Sequence, residues 1–164
     1  MFRLSLVVII ICLFFPSAVQ LPSTGAWRGL IPLKSTRADV ERLLGPSEVR
    51  RDKRATTYYL ADVVVLINFF GNPQCKEPLT YDTWDAAPET ITGLAVMLKR
   101  PVPMSNAGID LTKFKKVHGD FDTADHFYYS HLEDGFSIEV GDSYIKGYIY
   151  SPGPKHKDLL CPPK

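Results

Sequence analysis

Polar and apolar positions change rhythm several times along the chain, and each change marks an element. Thr36 opens a short helix: its hydroxyl can cap the first turn, and Asp39, three residues on, suits the positive helix end. Val40, Leu43 and Leu44 fall on one face at helical spacing. Gly45 supplies a left-handed terminus and Pro46 stops continuation. The stretch from Glu48 to Arg54, with four Arg or Lys, reads as a solvated loop. Thr56 to Leu60 and Val63 to Phe70 are rich in β-branched and aromatic residues and read as strands, the second closed by Gly71-Asn72-Pro73. A loop carrying Cys75, Pro78, Trp84 and Pro88 leads to a third strand, Thr90 to Leu98, and to a connection broken by Pro101 and Pro103.

The second half follows a similar order. Asp110 caps an expected helix that buries Leu111, Phe114 and Val117 and ends at Gly119. His126 to Leu132 and Phe136 to Val140 flank Asp134-Gly135, a hairpin signal, and Tyr144 to Tyr150 is the last strand. The interval from Leu44 to Tyr58 is 14 residues, as is that from Phe114 to Tyr128, and each half carries a Tyr-Tyr pair. The pattern predicts an α+β fold with short helices packed on an antiparallel β-sheet. Its units are a tandem helix–strand–strand–strand repeat over 33–98 and 109–151.

Arg3 precedes an apolar run from Leu4 to Phe15 that Pro16 and Ser17 break, the layout of a secretory signal peptide. The expected organisation is a signal peptide over 1–20, with a boundary as late as 26, a single domain over 27–161 and a tail over 162–164. Ile11 before Cys12 does not suit a lipid-anchoring signal. Removing Cys12 with the signal leaves Cys75 and Cys161, an even pair that reads as a disulfide in an exported protein. No Cys or His lies at zinc spacing from either, so no metal and no cofactor are expected. Localisation is expected to be secreted or periplasmic.

Composition narrows the function. A chain that is 45% hydrophobic can bury a core. With 19 Lys and Arg against 18 Asp and Glu, it is no broadly basic nucleic-acid binder. No apolar run reaches the roughly 18 residues of a membrane span, which leaves association with a membrane surface open.

The run Leu33-Lys34-Ser35-Thr36-Arg37-Ala38-Asp39-Val40-Glu41-Arg42-Leu43-Leu44-Gly45-Pro46 resembles the opening of the BamE/SmpA and β-lactamase-inhibitory-protein-like superfamily. The whole chain also resembles a set of bacterial exported proteins that share this string, the segment Lys113 to Lys116 and the tail Lys157 to Cys161. The resemblance implies a short helix leading into antiparallel sheet, and binding of another protein rather than catalysis.

Candidate chemistry is sparse. Gly141-Asp142-Ser143 resembles the Ser signature of GDS-type hydrolases, but between two strands it reads as a turn. His118, His126, His131 and His156, with Asp120, Asp122 and Asp125, could supply acid and base groups. His126 and His131 fall on opposite faces of a strand. Tyr144, Lys146, Tyr148 and Tyr150 alternate and share one face of the last strand, with Ile145 and Ile149 on the core face. A Tyr-rich strand face suits a protein interface. The expected function is an exported, non-catalytic protein-binding or cell-envelope accessory module whose contact is Tyr144, Lys146, Tyr148 and Tyr150. The alternative is a small secreted hydrolase using His and Asp residues in 117–131.

Overall fold

A computed structural model of the chain describes residues 25–46, 49–50, 53–77, 82–118, 126–131 and 133–162. The expected signal peptide over 1–20 lies outside them, as do Asp120, Asp122 and Asp125. Helix α1 spans Arg37–Leu44. The strands are β1 (Val49–Arg50), β2 (Ala55–Tyr59), β3 (Val63–Asn68), β4 (Thr83–Trp84), β5 (Gly93–Pro103), β6 (Lys115–Val117), β7 (His126–His131), β8 (Phe136–Gly141), β9 (Tyr144–Tyr150) and β10 (Leu160–Cys161).

Eight strands form one antiparallel sheet in the order β1-β2-β3-β5-β9-β8-β7-β6, and β10 pairs with β4 apart from it. The first half of the chain thus builds one meander and the second half another. They meet where β5 pairs with β9 in the middle of the sheet.

This is a mainly β protein, not the expected α+β fold with packed helices. Among the described residues α1 is the only α-helix. The second helix expected after Asp110 is one 3-10 turn, Leu111–Lys113, and the chain then becomes β6. Leu111, Phe114 and Val117 do occur every third residue, but that spacing also fits a turn followed by a short strand. Val117, β-branched, pairs opposite Tyr128 instead of facing a helix interior. The helix–strand–strand–strand unit is therefore not repeated. The region around Pro101 and Pro103 also departs from expectation, since β5 runs through both prolines. Pro101 falls where the ladder with β9 is interrupted between Met97 and Val102, and Pro103 pairs with Tyr144 at the very end of that ladder, where the next residue, Met104, donates its N–H to Ser143 O.

Helix α1 matches its sequence signals closely. Asp39 N donates to Thr36 Oγ1 and Thr36 N donates to Asp39 Oδ2, a capping box, and Gly45 ends the helix at φ 81°. Val40 is fully buried, whereas Leu43 is 46% exposed and takes no part in the buried face expected of it.

The core lies on one side of the sheet. Neighbouring strands place Tyr58, Val65, Val96, Tyr148 and Ile138 in one cross-strand row, and Ile67, Leu94, Tyr150 and Phe136 in the next. All nine are buried, and they form one cluster with Trp27, Leu30 and Val40. Each large apolar side chain taken out of water there stabilises the fold by about 1.5–3 kcal/mol before entropy is counted.

A disulfide joins Cys75 to Cys161 with a Cα–Cα separation of 5.4 Å. Asn72, buried beside it, organises the surroundings. Its side-chain amide donates to Glu77 O at 2.9 Å and to Thr83 Oγ1 at 3.2 Å, and its backbone carbonyl accepts from Cys75 N at 2.8 Å.

Candidate functional site

The last strand does not present the four expected contact residues together. Tyr144 is 43% exposed and Lys146 is half-buried, but Tyr148 and Tyr150 are 5% and 1% exposed and belong to the core. The cause is a β-bulge. On β8 the consecutive residues Glu139 and Val140 pair with Gly147 and Ile145, which leaves Lys146 as the extra residue. One extra residue reverses the alternation of side chains. Ile145, Tyr148 and Tyr150 consequently share the inner face, while Tyr144, Gly147 and Ile149 turn outward. Burial pushes the phenol of Tyr148 above its usual range, and burial with the neighbouring Tyr148 does the same to Tyr150. Among the described residues the Tyr150 hydroxyl has no hydrogen-bond partner.

The outer face carries a different set of residues. Its two cross-strand rows are Tyr59, Val64, Met97, Gly147, Glu139, Tyr128 and Thr57, Leu66, Ala95, Ile149, Ser137, Ser130. Tyr59 is 59% exposed and Met97 41%, and Val64, Leu66, Ala95 and Ile149 are half-buried. None of these six belongs to the core cluster or packs against it.

Polar groups border this apolar half. His126 Nε2 donates to Glu139 Oε1 at 2.9 Å, and Lys146 Nζ lies 3.4 Å from Asp142 Oδ2 and 5.7 Å from the Tyr144 ring. Asp142 and Ser143 both have positive φ, 53° and 63°, as a two-residue hairpin turn demands. Gly141-Asp142-Ser143 is thus the turn its sequence suggested.

The remaining histidines are scattered. His131 pairs opposite Phe136, on the face opposite that of His126, as the spacing predicts. Its Nδ1 is 3.3 Å from Asp134 Oδ2, while His118 sits against Phe127 and His156 lies in the turn after β9. Among the described residues no three His, Cys, Asp or Glu side chains converge as metal ligands, and no helix is long and apolar enough to cross a membrane.

Sequence reasoning missed Tyr59, Val64, Leu66 and Met97. A signal for them existed. Val63 to Ile67 and Leu94 to Leu98 are apolar at every position, so whichever face enters the core, the other stays apolar.

Fold and surface together define a mainly β protein: an antiparallel sheet with a core on one side and an open, half-apolar face on the other. No protein-family model, no curated protein and no solved structure matches the chain.

Proposed function

We propose that the chain is an exported, non-catalytic module that binds another protein through the outer face of its sheet. The observation that carries this reading is the apolar half of that face, centred on Tyr59 and Met97 and bordered by His126, Glu139, Tyr144 and Lys146. An apolar centre with a polar border is how protein interfaces are built, and Tyr and Met are among the residues enriched in them. Two of the residues expected from sequence, Tyr144 and Lys146, stay in this contact, while Tyr148 and Tyr150 act from beneath it as core. The Cys75–Cys161 bridge supports export, since such bonds persist in oxidising compartments. The resemblance of 33–46 to exported protein-binding domains points the same way.

The test places a photo-reactive residue at Met97, at Tyr59 and, as a control, at exposed Thr112, and irradiates cells producing the chain. The reading expects one protein cross-linked from both Met97 and Tyr59, absent from Thr112 and lost in a Met97→Glu chain that keeps its melting temperature. Equal cross-linking from all three positions, or none, would sink it.

A further inference from the structure

The turn between β7 and β8 stands at the end of the sheet opposite the Asp142-Ser143 turn. It is locked onto the chain that leaves β9. Ser151 N donates to Gly135 O at 2.8 Å, and a Cβ on Gly135 or Gly153 would meet backbone atoms at 2.0 or 2.5 Å. On the other wall the turn at 31–35 is equally fixed. Leu33 N donates to Ile91 O at 2.7 Å, and Ile31 N donates to Ser35 Oγ at 3.0 Å.

Between these rigid walls lies a cavity of about 110 Å³ lined in part by Lys34, Asp134, Lys155 and His156. An open hollow of about 420 Å³ shares Asp134 and Lys155 with it, and a second of about 460 Å³, reached past Glu133, carries Lys113 and Lys115. Through these shared residues the three hollows adjoin as a broken groove, with lysines in all three and Glu133 and Asp134 grouped in the one between. Four lysines face two carboxylates, a surplus of two positive charges in a chain whose net charge is +1. The charges are available. Lys155 Nζ is 3.7 Å from Asp134 Oδ1 and 61% exposed, a weak pair in water. Among the described residues Lys34, Lys113 and Lys115 pair with no acid.

We propose that this groove binds an acidic polysaccharide. Lys34, Lys155 and His156 would take one carboxylate or sulfate, and Lys113 and Lys115 another. Glu133 and Asp134 would accept hydrogen bonds from the hydroxyls between. The alternation of charge selects this ligand class. A continuous polyanion such as an acidic peptide would set its own charge against Glu133 and Asp134, whereas a polysaccharide that alternates acidic and neutral sugars separates its acids with neutral donors. Lysines, mobile point charges with no fixed fork, suit singly charged groups at varied orientation.

The disulfide-bonded chain would be titrated with hyaluronan oligosaccharides, whose uronates alternate with neutral sugars, with their methyl-esterified form and with polyglutamate, following binding by calorimetry. The proposal expects the hyaluronan oligosaccharides to bind and both other probes to fail. It expects Kd to rise about tenfold or more in Lys34→Ala/Lys155→Ala, as loss of charge-assisted contacts implies, and in Lys113→Ala/Lys115→Ala. Lys99→Ala, an exposed lysine outside the groove, should leave Kd unchanged. Absence of binding, equal binding of the ester or of polyglutamate, or an equal loss in Lys99→Ala would overturn it. Circular dichroism of each variant separates a lost site from a lost fold.

Discussion

Thr36 is small, yet it fixes where α1 begins. Its backbone N–H and its hydroxyl both donate to Asp39 Oδ2 at 2.9 Å, and its Oγ1 accepts from Asp39 N. Thr36→Ala removes that cap and should cost about 1 kcal/mol, read from the midpoint of a urea transition. The same bonds, with Arg42, hold the Asp39 carboxyl below its ordinary value of 3.8. A group whose pKa is lowered by folding contributes stability above its unfolded value and loses it as pH falls through the folded one. Stability should therefore drop in strong acid, and Asp39→Asn should remove this part of the drop. Tyr150 makes the opposite case. Its hydroxyl is buried without a partner among the described residues, so Tyr150→Phe should leave stability unchanged or raise it by up to about 1 kcal/mol. Tyr150→Ala opens a cavity instead and should cost about 3–5 kcal/mol, so a binding defect in that variant would report unfolding.

At the scale of elements, the bulge at Lys146 decides which side of β9 faces the core. Gly147 beside it admits no side chain: a Cβ there would come within 2.6 Å of Val96 O. Gly147→Ala should cost roughly 1–3 kcal/mol, measured by thermal unfolding against Gly93→Ala, where a Cβ meets nothing closer than 3.5 Å. The same bulge explains what the sequence could and could not reveal. Helix α1 was legible because cap, buried Val40 and terminal Gly45 act within nine residues of one another. Strands β2, β3, β7, β8 and β9 were legible to within a residue or two from β-branched and aromatic runs. The faces of β9 were not legible, because the extra residue exists only relative to β8, a partner whose register no local pattern records. Nor was β6, since Leu111, Phe114 and Val117 suit helix and strand alike until the neighbouring Tyr128 claims Val117. Of the four residues expected on one face of β9, Tyr144 is exposed and Lys146 half-buried, while the apolar surface lies on β2, β3 and β5.

Across the whole molecule, one feature carries a practical consequence. Cys75 lies in the meander that ends with β5, and Cys161 follows the meander that ends with β9. The peptide between Gly108 and Asp110 is the crossing from one meander to the other. Scission there would give two polypeptides, each holding four strands of the main sheet, one strand of the small β4–β10 pair and one half of the staple. The nicked chain should migrate at full size in a denaturing gel and fall into two bands only when a reductant is added. Before denaturation the two pieces should remain assembled along the β5–β9 seam even once reduced. The protein is, in effect, a heterodimer written as one chain, and its bridge holds as an intersubunit bond would.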